Sequence, residues 1–257
     1  MKRSLLLLCL VFLWSCASNR DPGAASVSAQ QVSPESIASA RIHTELAANY
    51  YSRRQYNVAL EELEIAIKAY SGYGPAYNML GVVYMDLKED AKAAQNFQQA
   101  LKLDPNDSDA NHNYGWFLCQ RGDPAKSIAH FATALRNPLY PSPDRSLVNA
   151  GICSRKMNNT VEAEKYFKQA LAIQPNQPQA LYNLADMSYL RGDFEESRTH
   201  LTRFMRGGNI TAEALWLAAR TESRLGDKSA EASFASQLCR RFPESPECLA
   251  VKTGAQK

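Results

Sequence analysis

An all-α superhelix, a solenoid of about six helix pairs, is the fold that the sequence predicts from three recurring residue types. Each type recurs at steps of 34 or 36 residues along the chain. The residues that keep these steps are the alanines Ala66, Ala100, Ala134 and Ala170, the glycines Gly81, Gly115 and Gly151, and the phenylalanines Phe97, Phe131 and Phe167. Small and aromatic residues at a fixed step of this length indicate helix pairs that cannot bury their apolar faces alone and therefore stack.

The first segment in chain order, residues 1–15, is predicted to be a signal peptide. Lys2 and Arg3 supply positive charge, and an apolar run of ten residues extends from Leu5 to Trp14. This run is too short to span a bilayer as a helix and is typical of a secretory signal. It ends in Leu-Trp-Ser-Cys, which resembles the cleavage box of bacterial lipoproteins. Cys16 is therefore predicted to carry acyl chains such as palmitate. The alternative is an ordinary signal peptide followed by an incidental cysteine.

Residues 16–39 are predicted to be the acylated cysteine and a flexible tether. Their composition is rich in Ser, Ala, Gln and Asn and cannot bury a core. Several acyl chains on Cys16 would hold the protein on a membrane without a transmembrane helix, because each buried methylene contributes roughly 0.8 kcal/mol. In lipoproteins that carry this box, an aspartate directly after the cysteine tends to retain the protein in the inner membrane. Ala17 stands there instead, so the resemblance implies an outer-membrane protein that faces the periplasm.

Residues 40–242 are predicted to form six repeats of the tetratricopeptide type. In this motif the first helix has set residues at positions 4, 7, 8 and 11, the second helix has them at 20, 24 and 27, and a proline stands at 32. The second unit fits at every position: Tyr77, Leu80, Gly81, Tyr84, Ala93, Phe97, Ala100 and Pro105. The third and fourth units fit well, whereas the first, fifth and sixth are weaker copies. Atypical end units are expected, because they cap the stack against water.

Two segments depart from the repeat. The link between the third and fourth units, Asn137 to Pro143, contains three prolines and is predicted to be an extended loop. This loop is either a simple linker that lengthens the spacing between repeats or a contact site. Residues 243–257 follow the last repeat and are assigned to a C-terminal tail. Pairs of turn residues, such as Gly192-Asp193 and Gly226-Asp227, indicate tight links within the helix pairs.

Four cysteines remain after Cys9 in the signal and Cys16 in the lipoprotein box are set aside. An exported protein enters an oxidising compartment, where four cysteines allow three pairings. Cys119 and Cys153 lie in the first helices of successive repeats, and Cys239 and Cys248 lie close together in sequence. We predict the pairs 119–153 and 239–248. Metal binding is the alternative, but the chain has no Cys-x-x-Cys or paired-His spacing, so no metal is expected.

The concave wall of such a superhelix is lined mainly by positions 2, 5, 9 and 12 of the first helices. In the first half of the chain these positions are largely apolar or aromatic, as expected for a surface that contacts another protein. The predicted partner-binding residues are Thr44, Ala48, Tyr51, Asn78, Val82, Met85, His112 and Trp116. The alternative is that Trp116 and Tyr51 only pack against neighbouring helices. The Lys and Asn clamp that holds chaperone carboxylate ends is absent, as Thr44 and Ala48 indicate, so a peptide held by apolar side chains fits better.

Composition and motifs favour a binding protein over an enzyme. The net charge of +3 rests on balanced acids and bases and gives no reason to expect nucleic acid. The four histidines are scattered without a spaced carboxylate or nucleophile, and no phosphate-binding loop or Gly-x-Ser-x-Gly motif occurs. We therefore predict no catalytic residue and no cofactor. A pocket of converging histidine and carboxylate side chains would reopen the hypothesis of a catalytic site.

The lipoprotein box, the tether, six repeats over 40–242 and a cysteine pair bridging units three and four together resemble the type IV pilus biogenesis and stability lipoprotein, the pilotin of the pilus secretin. The resemblance covers nearly the whole chain. It implies an outer-membrane lipoprotein that binds secretin subunits and promotes their localisation and oligomerisation in that membrane. We expect the protein itself to be a monomer. The alternative from the residues is a general envelope scaffold for cell-wall synthesis or outer-membrane protein assembly. Trp14 is bulky for the lipoprotein box, and the sixth repeat is irregular.

Overall fold

The computed structural model describes residues 33–254, and within that range the regular secondary structure consists of helices only. The predicted all-α tetratricopeptide superhelix of about six helix pairs is confirmed. The predicted signal peptide, Cys16 and residues 17–32 of the tether lie outside the described residues. The helices are α1 (Pro34–Ser52), α2 (Tyr56–Ala69), α3 (Gly74–Asp86), α4 (Asp90–Leu103), α5 (Ser108–Gln120), α6 (Pro124–Ala134), α7 (Pro143–Lys156), α8 (Thr160–Ile173), α9 (Pro178–Arg191), α10 (Phe194–Arg206), α11 (Ala212–Leu225), α12 (Lys228–Arg241) and α13 (Pro246–Thr253).

The helices from α1 to α12 pack as consecutive pairs. Each odd-numbered helix packs most extensively on the helix that follows it, and it also contacts the odd-numbered helix of the next pair. The first helices therefore stand side by side along one wall of the superhelix. None of the helices among residues 33–254 is long and apolar enough to cross a membrane.

The interior of the second and fourth pairs depends on a close contact between a glycine of the first helix and a phenylalanine of the second. A methyl group at Gly81 would lie 2.6 Å from the ring of Phe97, and one at Gly151 would lie equally close to Phe167. Both rings are fully buried. Because carbon atoms pack at about 3.5–4.0 Å, only glycine lets the first helix approach the ring this closely. The glycines and phenylalanines that recur in the sequence are the residues that make this contact.

Polar caps and left-handed residues set the ends of the helices. Asp107 accepts a hydrogen bond from the backbone N–H of Ala110 at 2.8 Å, and Asp227 accepts one from Ala230 at 2.9 Å. These carboxylates satisfy N–H groups that have no partner inside the helix. Gly192 and Gly226 end α9 and α11 with φ angles of 89° and 83°, a conformation that glycine adopts without strain. The predicted turns at 192–193 and 226–227 are thus present.

The ends of the repeat domain differ from the predicted boundaries. Helix α1 begins at Pro34 rather than at residue 40, so the last residues of the predicted tether are helical. The Ser33 side chain accepts the N–H of Ser36 at 3.2 Å, and proline suits the first helical position because its missing N–H needs no partner there. The predicted tail contains α13, whose Cys248 is fully buried beside Leu215 and Leu238.

The link between the third and fourth pairs also differs from the extended loop predicted for it. Helix α6 ends at Ala134 and α7 begins at Pro143, and the residues between them form turns rather than an extended strand. Tyr140 is only 5 % exposed, so the link folds back and contributes to the interior. Its hydroxyl accepts a hydrogen bond from Ser146 at 3.3 Å. The prolines break the helix as expected, and the buried tyrosine explains why the segment stays compact.

Candidate partner-binding cleft

A cleft of about 590 Å³ runs along the wall formed by the first helices. It draws residues from α1, α3, α5 and α7 and from the start of α9. The residues that line it are Tyr51, Val82, Met85, Asp86, His112, Asn113, Trp116, Arg145, Val148, Asn149, Ile152, Gln177 and Gln179. The cleft combines apolar side chains, which form its floor, with amide and charged groups.

The apolar floor consists of Val82 from α3, Trp116 from α5, and Val148 and Ile152 from α7. Trp116, Val82 and Ile152 are half-buried, so each leaves part of its side chain available to a partner. Trp116 also packs against the buried cluster that contains Cys119 and Cys153. A tryptophan that is anchored on one side and exposed on the other loses little conformational freedom on binding, and this residue type is favoured at interface centres.

Five of the eight predicted partner-binding residues line the cleft: Tyr51, Val82, Met85, His112 and Trp116. The other three are not among its lining residues. The Thr44 hydroxyl donates to the backbone oxygen of Ala40 at 2.8 Å, Ala48 is exposed, and Asn78 is only 9 % exposed. The side-chain oxygen of Asn78 accepts a hydrogen bond from Asn113 at 3.1 Å. Asn78 therefore supports a residue that lines the cleft.

The aromatic end of the cleft carries a carboxylate. The Tyr51 hydroxyl on α1 donates to Oδ2 of Asp86 at 2.7 Å, which ties the first pair to the second. Burial and this hydrogen bond to a negative group raise the pKa of Tyr51 well above its ordinary value. The tyrosine is therefore a neutral donor at any physiological pH, and the Asp86 carboxylate gives this end a negative charge.

His112 is a neutral side chain in the wall of the cleft. It is 4 % exposed, and its Nδ1 lies 2.7 Å from the Ser146 hydroxyl. Burial, followed by the charge of Arg145, lowers its pKa from 6.5 to about 4. The imidazole is thus uncharged near neutral pH. It links α5 to α7 through Ser146, as a packing residue of the wall, and no carboxylate within residues 33–254 bonds to it.

Arg145 is the positive group of the cleft. It is exposed on α7 and makes no salt bridge or side-chain hydrogen bond with any residue between 33 and 254. Burial raises the pKa of the nearby Asp109 carboxyl, and the positive charge of Arg145 opposes this rise. The guanidinium is free to pair with a carboxylate from a partner. Arg145 occupies position 2 of its unit, a predicted wall position.

Beyond the cleft, the inner wall is occupied by side chains that bond to each other. Arg155 donates to Asp186 at 2.5 Å and to Asn183 at 2.7 Å. The Arg220 guanidinium lies 4.6 Å from the centre of the Tyr189 ring. These contacts engage Arg155, Asp186 and Arg220 within the wall itself. The mixed second half of the wall, as predicted from sequence, is therefore less available than the apolar first half.

The other three histidines each lie near one polar side chain. His43 lies 2.5 Å from Glu62, His130 lies 2.9 Å from the Asn111 side chain, and His200 lies 3.8 Å from Glu196. In the described part of the chain no group of three or more His, Cys, Asp or Glu residues is placed to hold a metal ion. Among residues 33–254, these three histidines therefore lie at separate places, each with its own neighbour.

The structure brings each predicted cysteine pair together. The sulfurs of Cys119 and Cys153 are 2.01 Å apart and join α5 to α7. Those of Cys239 and Cys248 are 2.07 Å apart and join α12 to α13. All four sulfurs are thus placed for the pairs 119–153 and 239–248. That these bonds form in the exported protein stays a prediction.

The stacked pairs and the open cleft define a protein-binding protein of the tetratricopeptide class. Tetratricopeptide repeat family models match residues 74–107, 96–129, 115–178 and 155–204. The crystal structure of PilW, described as a widely conserved type IV pilus biogenesis factor, is 35% identical, with a TM-score of 0.76 over 82% of this chain and 97% of that chain. The chain therefore belongs to the PilW family of type IV pilus biogenesis factors.

PilF of Pseudomonas aeruginosa is a second relative in pilus biogenesis. Its structure is 26% identical with a TM-score of 0.80, over 87% of this chain and 100% of that chain. The sequence of the type IV pilus assembly protein PilF from strain PAO1 is 27% identical over 205 residues, which are 80% of this chain and 81% of that protein. These relatives support a role for this chain in pilus assembly.

Proposed function

We propose that this protein is an outer-membrane lipoprotein that binds subunits of the type IV pilus secretin and promotes their localisation and oligomerisation in that membrane. Acyl chains on Cys16 would provide the anchor, and the cleft would hold the secretin subunit. Membership of the PilW family supports the link to pilus assembly. The sequence around Cys16 supports the anchor, and its test is a Cys16→Ser variant, which we expect to leave the membrane fraction.

The half-buried Trp116, with Val82 and Ile152 beside it, is the observation that carries the binding proposal. Apolar side chains that remain partly exposed in a concave wall gain roughly 25 cal/mol for each Å² that a partner covers. A secretin subunit in transit exposes surface that is later buried in the ring, so it is a suitable source of such a partner. The cleft is too open and too poor in converging catalytic groups to favour a reaction centre.

Site-specific crosslinking in cells tests this proposal. A photoreactive residue replaces Trp116 in the cleft, and a matched variant carries it at Val161, which is 76% exposed at the start of α8 and does not line the cleft. We expect the secretin subunit to be captured from position 116 and not from position 161. Both variants must reach the membrane fraction in equal amount and melt at the temperature of the unmodified protein, which excludes misfolding as the cause of a difference.

Two outcomes would contradict the proposal. Capture of cell-wall enzymes or of barrel-assembly factors from position 116, with no secretin, would favour the general envelope scaffold. Normal levels of secretin multimers and surface pili after deletion of the gene would contradict the role in secretin assembly. The first outcome would show that the proposed partner is wrong, and the second would show that the proposed role in secretin assembly is wrong.

A further inference from the structure

A row of basic side chains follows one edge of the superhelix, at the ends of the second helices. Position 29 of the repeat is basic in five of the six units, and Ala172 of the fourth unit interrupts the series. The residues of this row, the basic rim, are Lys68, Lys102, Arg136, Arg206 and Arg240. All five are exposed, and each lies in the last turn of a second helix or within two residues of its end. Short turns return the chain from each first helix to its second helix, so the ends of the second helices share one edge.

The cations of the basic rim have no partner inside the protein. None of the five makes a salt bridge or a side-chain hydrogen bond with any residue between 33 and 254. The starts of the second helices differ, since Lys126 on α6 pairs with Asp123 at 2.7 Å and Lys228 on α12 lies 2.9 Å from Glu231. A basic residue in a last turn complements the helix dipole, but the dipole does not require it to lack an acidic neighbour. The rim therefore holds positive charge that is available to an external anion.

Acidic residues are nearly absent from the outward side of these last turns. Positions 25, 26 and 29 of the six second helices hold seven basic residues, the rim together with Lys168 and Arg203, and one acidic residue, Glu64. The whole chain is far more balanced, with 29 Lys and Arg against 26 Asp and Glu. Most acidic residues of this edge lie instead in caps and first turns of the first helices, as Asp107 and Asp144 do. The positive end of the helix offsets their charge there.

The chain enters the superhelix at the same edge. Helices α1 and α2 are joined by a turn of three residues and are therefore antiparallel, so the start of α1 lies beside the end of α2. Because α1 begins at Pro34, ahead of residue 40 where the repeat begins, it carries the chain about 9 Å farther out. Cys16 precedes Ser33 by 17 residues, which span at most about 60 Å when fully extended. An acyl anchor on Cys16 would thus keep the basic rim close to the membrane.

A phospholipid surface is the anion that fits this row. Lysine and arginine side chains form charge-assisted hydrogen bonds with phosphate groups. Packed helices lie 8–10 Å apart, so successive rim cations are about 10 Å or more apart and suit separate headgroups rather than one small anion. Salt screens such contacts, and they are weaker than several acyl chains. The rim would therefore orient a protein that the acyl chains hold.

We propose that the basic rim rests on the anionic phospholipid surface of the membrane that carries the Cys16 anchor, and that it fixes the orientation of the superhelix on that membrane. This inference rests on the proposed function for the anchor, whereas the charge of the rim does not depend on it. With this edge on the membrane the helices stand upright, and the cleft in the wall of the first helices stays accessible from the side.

Binding to lipid vesicles tests the rim without the anchor. The full chain with Cys16→Ser is sedimented with vesicles of phosphatidylcholine, either alone or mixed with phosphatidylglycerol. We expect stronger binding to the vesicles that contain phosphatidylglycerol, and a decrease of this binding as the salt concentration rises. Replacement of Lys68, Lys102 and Arg136 by glutamate should lower the partition onto the anionic vesicles about tenfold or more.

The matched control replaces Arg53, Arg54 and Lys88 by glutamate in the same chain. These residues are exposed in turns at the opposite edge and make no salt bridge within the part of the chain that the structure describes. Both variants change the net charge equally, so only the position of the charge differs. We expect the control to bind nearly as the parent chain does. An unchanged melting temperature of both variants excludes misfolding as the cause of a difference.

Photocrosslinking in cells tests the orientation with the anchor present. A photoreactive residue replaces Ala132, which is exposed on α6 one turn before Arg136. The matched variant carries it at Val161, which is 76% exposed at the start of α8, toward the opposite edge. We expect phospholipid to be captured from position 132 and not from position 161.

Three results would overturn this inference: equal binding of the parent chain to neutral and anionic vesicles, equal losses in the rim variant and the control, and lipid capture from position 161 but not from 132. The inference and the proposed function fail separately. If Cys16 carries no acyl chain while the rim variant loses vesicle binding, only the anchor is wrong. If the acyl chain and the secretin capture are found while the rim variant binds vesicles as the parent chain does, only the role of the rim is wrong.

Discussion

Arg145 and Asn149 line the cleft, but their sequence context alone did not mark them as residues of a binding surface. Trp116 and Val82 could be placed from their repeat positions, because their size and apolarity already mark them as contact residues. An arginine or asparagine on a helix is equally compatible with a solvated outer surface. Arg145 differs from Arg155, which is paired with Asp186, because it lines the cleft and has no ion-pair partner in the part of the chain that the structure describes.

His112 provides a residue-scale prediction for pH dependence. Its folded pKa is about 4, below the ordinary 6.5, so the unfolded chain binds more protons between these values. The stability contributed by the neutral, buried imidazole is therefore complete above pH 6.5 and is lost as the pH falls toward 4. We expect this loss to reach up to about 3 kcal/mol.

Urea unfolding at several pH values measures this effect, with His112→Gln as the comparison. The difference in unfolding free energy between the two proteins should shrink as the pH drops from 7 to about 4. Because other groups titrate equally in both proteins, the difference isolates His112. A difference that is constant with pH would contradict the buried neutral state of this histidine.

At the scale of helices, the sequence predicted the presence of each helix more accurately than the residues at which the helices begin and end. The Gly81–Phe97 contact explains the success, since the residues that make it are also the ones that recur. The positions of the helix ends depend on contacts that do not recur from one repeat to the next. Ser33 and Pro34 begin α1 earlier than the repeat requires, and α13 forms where a tail was predicted because Cys248 packs beside Leu215.

The pair Cys119 and Cys153 supports an element-scale prediction. It joins α5 to α7 across the link that contains the buried Tyr140, and the two residues are 34 apart. A bond that closes a loop of this length should stabilise the fold by about 2–4 kcal/mol, mainly by restricting the unfolded chain. We expect a variant with serine at both positions to unfold at correspondingly lower urea concentration.

Mass mapping of the protein isolated from cells and alkylated without reduction checks the pairing before the stability is compared. A variant with serine at positions 239 and 248 is the matched control, because its loop of 9 residues is shorter and should contribute less. Free thiols at Cys119 and Cys153 in the exported protein would contradict the predicted pair. Equal stability of the serine variant and the parent would contradict the predicted contribution.

For the molecule as a whole, the step of 34 residues was sufficient to predict stacked pairs and a concave wall, but it was not sufficient to outline the cleft. Which first-helix side chains face the cleft depends on the angle between successive pairs, and this angle is set by packing at each junction. Thr44 and Ala48 keep the right repeat positions, yet the cleft meets α1 only at Tyr51. Beyond the cleft, Arg155 and Asp186 pair with each other, so this part of the wall is less available to a partner than the cleft is.

The central claim is that this cleft is the surface that binds the secretin subunit. The most direct measurement compares the affinity of purified secretin for Val82→Asp, which places a charge on the apolar floor, and for Val161→Asp, which places one outside it. With both variants folded as judged by an unchanged melting temperature, we predict that Val82→Asp weakens binding at least tenfold, or about 1.4 kcal/mol, and that Val161→Asp has no effect. Equal affinity for the two variants and the parent protein would contradict the account.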